Sequence, residues 1–345
     1  MDFTSWNEEI RPLDEQAMAA ARHRLDDIAK PVGSLGALED AIVRIAGIQR
    51  SARVHIGKRA VIVMCADNGV LKQGVAQTPG EITAVMTGVI AARRSSVCLM
   101  AAYASADVIP VDIGVARRMR LPGLIDRHIA DGTADMTGGP AMTREQAMEA
   151  IEAGAALARD CKEQGYQLLA TGEMGIGNTT TSSAVASVLL TRDVLDMTGR
   201  GAGLSDEGLS RKISAIRRAV AVNAPDPGDA FDVLRKLGGL DIAGLTGVFL
   251  GGAKYGVPVL VDGFISAVAA LVAVRLCPAA GAYLLASHVS AEPAGQAVLD
   301  ALALNPMLYA GMRLGEGTGA VALLPVLDMA VKVYDELLTY ADIGM

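Results

Sequence analysis

Aromatic residues are scarce in this chain: one Trp, four Phe and seven Tyr in 345 residues. With so few stacking platforms, and a formal net charge of -7 with a pI near 5.2, the composition argues against nucleic acid as a partner. Cysteine is sparse too. Cys65, Cys98, Cys161 and Cys277 stand far apart with no CxxC pair, and His23, His55, His128 and His288 show no ligand spacing with them. That leaves no legible zinc site or disulfide framework, so no metal is expected. Long apolar runs are missing as well. The opening MDFTSWNEEIRPLDEQ is charged, unlike a signal peptide. The most apolar segment, VPVLVDGFISAVAALVAVRL (257–276), is broken by Asp262-Gly263 and reads as a strand, a turn and a helix. These absences together lead to the expectation of a cytoplasmic protein with no membrane partner.

What is abundant is aliphatic. Hydrophobic residues make up 51% of the chain, chiefly Ala, Val, Leu, Ile and Met, which suits helices packed on a buried parallel sheet. Residues 13–28 and 38–50 carry helical patterning, separated by the Pro/Gly turn KPVGSLG. Beyond them, short β-branched runs end in Gly or Asp: AVIVMCADNG, ADVIPVDIG, YQLLATGEMG, VPVLVDG and AYLLASH. Each precedes a helical stretch. Thr143 with Gln146 predicts a capping box, and Ser205 followed by Asp206 and Glu207 predicts a second N-cap. Strands alternating with helices imply βαβ units. The expected fold is an open, mostly parallel, doubly wound Rossmann-like α/β sheet. Residues 51–325 would form the large catalytic domain, and 1–50 with 326–345 a smaller helical subdomain. Ligands bind beyond the carboxyl ends of such strands, so the loops ADNG, VDIG, TGEMGIGNTT, VDG and ASHVSAE could face one crevice.

In GEMGIGNTTT (172–181), Gly172, Gly175 and Gly177 permit tight turns, and the hydroxyl cluster opens a helix whose N-terminus favours an anion. No lysine follows, so this is not a triphosphate loop. Glu173 is out of place beside an anion unless it binds sugar hydroxyls. The segment GRGAGLSDEGLSRK adds glycines with Arg211 and Lys212. In LGEGTGAVALLP (314–325), Glu316 lies between glycines ahead of a helix. It is either a general base or an acidic residue favouring the helix N-terminus. The same segment matches G-x-G-x-x-A, but it comes too late in the chain for a dinucleotide fold. Ser287, His288, Ser290 and Glu292 cluster in ASHVSAE without the elbow of a serine hydrolase, and His288 reads as structural. Asp67, Asp112 and Asp262 follow strands, where sugar binding and turn capping compete. Met86 and Met174 are either core filler or walls of an aromatic pocket.

Taken in order, KPVGSLGALE, ADNGV, TGEMGIGNTTTSSA, GRGAGL with LSRK, PVLVDGFISAVAAL, SHVSAE and LRLGEGTGA resemble the nicotinate-nucleotide–dimethylbenzimidazole phosphoribosyltransferase family, the CobT enzymes. The resemblance implies transfer of ribose 5-phosphate from nicotinate mononucleotide to a lower-ligand base in cobamide assembly, with inversion at C1′ and release of nicotinate. It implies that Glu316 is the general base and that Glu173 lies close to the ribose. The loop through Gly175, Gly177, Asn178 and Thr179, with Gly203 and Lys212, would hold the phosphate and ribose. Gly263 and Ser290 would lie near the nicotinate. Val85, Met86, Met174 and Leu314 would line the base pocket. No cofactor is needed, because the pyridinium already activates the glycosidic bond. Burial would raise the pKa of Glu316 and a helix N-terminus would oppose the shift. The family also implies a homodimer, with a paralogue as the alternative second subunit.

The chain departs from the family pattern at Asn68, where His is common, at Val85, where Gln is common, at Ser95, and at Gln296. Those departures leave the acceptor open among benzimidazoles, purines and phenols. A glycosidic-bond hydrolase and a non-catalytic nucleotide binder are the competing readings.

Overall fold

A computed structural model describes residues 2–345. Its sheet comprises β1 (Arg59–Ala66), β2 (Asp107–Gly114), β3 (Ile125–Asp126), β4 (Leu168–Met174), β5 (Val259–Val261) and β6 (Leu284–Ala286). The spatial order is β3-β2-β1-β4-β5-β6 and every pairing is parallel. Five of these strands are the runs expected from the sequence. The two-residue β3 is too short to leave a pattern.

β1 explains why the sheet is buried on both sides. Ala60, Ile62, Met64 and Ala66 enter one core, while Val61, Val63 and Cys65 enter the other, following the two-residue period of a strand. On the first face lie the helices Arg144–Glu163, Leu240–Tyr255 and Phe264–Leu276. Two of them touch backbone to backbone. A Cβ on Gly154 would stand 1.9 Å from the Gly244 carbonyl oxygen, and one on Gly247 1.9 Å from that of Ile151. Glycine is therefore required where Leu240–Tyr255 crosses its neighbour. The capping box at Thr143 and the cap at Ser205 are both formed.

The second face is covered by Glu15–Asp27, Ala37–Gln49 and Thr318–Glu336, together with Glu81–Ala91 and Ser96–Tyr103. The two chain ends are tied together, with the Ala29 amide donating to Leu338 and that of Tyr340 to Asp27. These terminal helices share one core with Val61, Val63, Leu168 and Ala170 of the sheet. The helix Thr318–Glu336 continues through Pro325, so the boundary expected at 325/326 falls inside a single element. The stretch Glu81–Tyr103 is long and apolar enough to cross a membrane. Here it folds as two helices separated by Arg93 and Arg94, each with one face in the core.

Strand order reverses between β1 and β4, which is where open sheets of this kind leave a crevice at their carboxyl ends. The loops after β4, β5 and β6 converge there.

Candidate active site

The two glycine-rich loops hold each other in place. A Cβ on Gly172 would lie 2.4 Å from the carbonyl oxygen of Glu316, and one on Gly317 would lie 2.6 Å from Val61 Cγ1 and 3.0 Å from the Thr171 carbonyl oxygen. The backbones of GEMG and GEGTG are in contact, and side chains at these glycines would separate them. Gly315, Glu316 and Gly317 have φ of 85°, 62° and 91°. Glu316 thus carries a side chain in the left-handed region, a conformation costing on the order of 1–3 kcal/mol, and the packing of the two loops enforces it. Gly177 (φ 95°) and Gly317 end these loops as N-caps of the helices Asn178–Leu189 and Thr318–Glu336.

Between the loops lies a cavity of about 260 Å³. Of the residues selected from sequence, Glu316, Glu173, Gly175, Gly177, Asn178, Thr179, Gly263, Ser290, Met86, Met174 and Leu314 line it. Three do not. Gly203 (φ 108°) sits in the rim loop whose neighbours Gly201, Ala202 and Leu204 line the cavity. Lys212 is wholly buried behind the wall, its Nζ donating to Thr179 Oγ1 (2.9 Å) and to the Gly199 carbonyl (3.0 Å). Val85 is 53% exposed and lines a separate cavity with Asp67, Lys72 and Arg117. One helical step explains it: Met86 points toward the glycine loop, and Val85 points away from it.

The electrostatics are unusual in sign. Glu173, Asp262, Glu292 and Glu316 all line the cavity. Glu173 is buried, accepts from the Asn178 side-chain amide, and is pushed up to about 8 by burial, with Asp241, Asp262 and Glu316 adding repulsion. Glu316 is raised by burial as well. The Val97 amide and Ser95 hydroxyl, at the N-terminus of Ser96–Tyr103, pull the other way, and burial prevails. The opposing helix is thus Ser96–Tyr103, not the one Glu316 precedes. Glu316 Oε2 is buried and has no hydrogen-bond partner among the described residues. Burial draws Lys212 down to about 8, opposed by Glu292.

The residues with contested roles separate clearly. Asp262 Oδ1 accepts the Ala320 N–H at 2.9 Å, capping the first turn of Thr318–Glu336 while still facing the cavity. Asp67 accepts the Ala116 amide, and Asp112 accepts from the Val115 amide and sits 3.1 Å from His128 Nδ1; both serve turns outside the cavity. Ser287 is fully buried, its Oγ donating to the Val261 carbonyl, so it is not a nucleophile facing the cavity. His288 lies 3.0 Å from Ser287 Oγ through Nδ1 and also lines the cavity. Sequence reasoning missed Arg200 and Arg313, which bring positive charge to the lining; Ser95, singled out as a departure from the family pattern, lies beneath Glu316, a contact the sequence did not reveal. Each arginine adjoins a glycine motif, and that adjacency was the available signal. Among the described residues no group of His, Cys, Asp and Glu could hold a metal ion.

Comparison with known proteins gives this arrangement relatives. A family model described as Phosphoribosyltransferase matches residues 10–345. The chain is 49% identical over 337 residues to the nicotinate-nucleotide–dimethylbenzimidazole phosphoribosyltransferase of Chloroflexus aggregans, covering 97% of this chain and 96% of that protein. To the protein of the same name from Ruminiclostridium cellulolyticum it is 45% identical over 342 residues, covering 99% and 97%. The crystal structure of CobT from Thermus thermophilus superposes with a TM-score of 0.91 at 37% identity, covering 96% of this chain and 99% of that one. The chain belongs to the nicotinate-nucleotide–dimethylbenzimidazole phosphoribosyltransferase family.

Proposed function

We propose that this cavity carries out the transfer for which its relatives are named, with Glu316 as the general base. An imine-type ring nitrogen of the acceptor attacks C1′ of nicotinate mononucleotide from the face opposite the pyridinium. The C1′–N bond breaks and its electron pair neutralises the nicotinate ring. The acceptor's other N–H loses its proton to Glu316, and inversion leaves an α-ribotide. The observation that carries this reading is Glu316 Oε2, buried in the cavity wall without a hydrogen-bond partner among the described residues and on a carboxylate whose pKa is raised. A carboxylate so placed is a stronger proton acceptor than an exposed one.

The surroundings support the remaining roles. A ring of carboxylates suits a substrate with a cationic pyridinium and a transition state with positive charge at C1′. The N-terminus of Asn178–Leu189, with Thr179 held by Lys212, suits the 5′-phosphate; two of the three Lys212 donors are committed within the protein. Met86, Met174 and Leu314 offer an apolar wall for a flat ring. Because this wall lacks polar side chains, a phenol, whose O–H would also meet Glu316, is the second acceptor to test. Leu99, Tyr103 and Met329 are exposed on the packed helices Ser96–Tyr103 and Thr318–Glu336, which supports a homodimer burying them; a monomer by light scattering would refute that.

The direct test incubates the protein with nicotinate mononucleotide and dimethylbenzimidazole, benzimidazole, adenine, phenol or p-cresol, with products read by mass spectrometry. An acceptor-dependent ribotide plus nicotinate is expected. Ribose 5-phosphate without a ribotide would mean hydrolysis instead.

A further inference from the structure

Behind Glu173 the cavity floor continues into a chain of buried polar groups. Glu173 lies at the end of β4, Asn178 opens the next helix, and Asp241 is the second residue of Leu240–Tyr255, so three elements meet. All three side chains are more than nine-tenths buried. The Asn178 Nδ2 donates to Glu173 Oε2 and to Asp241 Oδ2, the latter at 3.0 Å, so both of its protons are used. Asp241 Oδ1 in turn accepts the Ile242 amide at 3.0 Å, within the first turn of its helix. Gly239 makes the approach feasible, since a Cβ there would stand 2.3 Å from Asp241 Oδ1.

We propose that Asp241 is a positioning residue for Glu173, acting through the Asn178 amide. A side-chain amide can turn by 180° and present either oxygen or nitrogen. A neutral Glu173 would accept both arrangements, because it can donate to the amide oxygen or accept from the amide nitrogen. Burial raises Asp241 to about 6; ionised above that pH, it only accepts, so it requires the nitrogen side, and the second N–H is then directed at Glu173 Oε2. A proton carried by Glu173 consequently resides on Oε1. That is the oxygen beside the opposing loop, 2.5 Å from the position of a Cβ on Gly315. Asp241 thereby decides which Glu173 oxygen is offered to the cavity and in what protonation state. The charged groups facing Glu173 are Asp241 from its helix, Asp262 after β5 and Glu316 from the opposite loop, with the buried, neutral Cys65 thiol of β1 alongside.

The kinetic half of the test rests on the transfer reading above; the titration half does not. Asp241→Ala is expected to lower kcat on the order of 10²-fold, the scale of a misplaced active-site group, with little change in KM for the nucleotide. Asp241→Asn can turn its own amide to donate as well as accept, so it no longer dictates the Asn178 orientation and should lose activity with Asp241→Ala. Parent-like kcat in Asp241→Asn would overturn the proposal. The double variant Asp241→Ala/Asn178→Ala should be no slower than Asn178→Ala alone, because the two residues act as one unit. In the ligand-free protein, ¹³C NMR titration of the Glu173 carboxyl should show its midpoint, near 8 in the parent, fall in Asp241→Asn, where a neighbouring negative charge is gone. Additive losses in the double variant, an effect confined to KM, or an unmoved midpoint would each overturn the proposal. If Asp241→Ala does not fold, Asp241→Asn and the titration still decide it. If the parent protein makes no ribotide, the transfer reading fails while the titration still judges Asp241.

Discussion

Glu173 and Glu316 occupy the same cavity, have the same chemistry and are equally buried, yet the protein treats them oppositely. Glu173, at the end of β4, is held on Oε2 by the Asn178 amide, and three other acids raise its pKa by repulsion. Glu316 sits in strained left-handed backbone with one oxygen unpartnered among the described residues, and its pKa, raised by burial, is held back by the Val97 amide and Ser95 hydroxyl of the adjacent helix terminus. One hydrogen bond orients Glu173, whose carboxyl is raised to about 8 and holds a proton on the oxygen facing the cavity, whereas Glu316 keeps a buried oxygen without a partner among the described residues. Two carboxylates with environments this different are the usual sign of divided labour.

The difference can be broken from either side. The largest effect is expected at the free carboxylate: Glu316→Ala should lower turnover by about 10²–10⁴-fold, the range of general-base assistance, while calorimetry shows nucleotide affinity retained. A smaller effect, on stability, belongs to Glu173. Its pKa is raised from 4.5 to about 8 on folding, so the native state binds its proton more tightly than the unfolded chain. The resulting stability is fully present below 4.5 and is lost as pH rises toward 8. Glu173→Gln, which cannot ionise, should flatten that decline in denaturant unfolding measured across the same range. The smallest effect sharpens the comparison at Ser95. Ser95→Ala removes a hydroxyl that stabilises the ionised Glu316 and the N-cap of Ser96–Tyr103. The acid limb of the kcat profile should move to higher pH, and stability should fall by about 1 kcal/mol.

Much of this was visible in the residues themselves. β-Branched runs ending in Gly or Asp marked five strands, because a strand buried on both faces needs only local apolar content to be recognised. The two glycine motifs located both carboxylates because tight backbone approach leaves a compositional mark. What stayed hidden depends on contacts between distant segments. Asp241 carries no local sign that it reaches Asn178, since 63 positions separate them. That Ser95 meets Glu316 follows from how two helices pack, not from either sequence. Val85 falls on the other side of its helix from the expected pocket for the same reason: neighbours in sequence lie about 100° apart on a helix, and only packing decides which one faces the loop.

The claim that Glu316 removes the acceptor's proton is tested most directly with an acceptor that has none to lose. Turnover of the parent protein and of Glu316→Ala would be compared on benzimidazole and on 1-methylbenzimidazole, whose substituted nitrogen bears no hydrogen. The account predicts a loss of about 10²–10⁴-fold on benzimidazole and a ratio near one on the methylated ring. An equal loss on both acceptors would contradict it, because Glu316 would then be acting on something other than that proton.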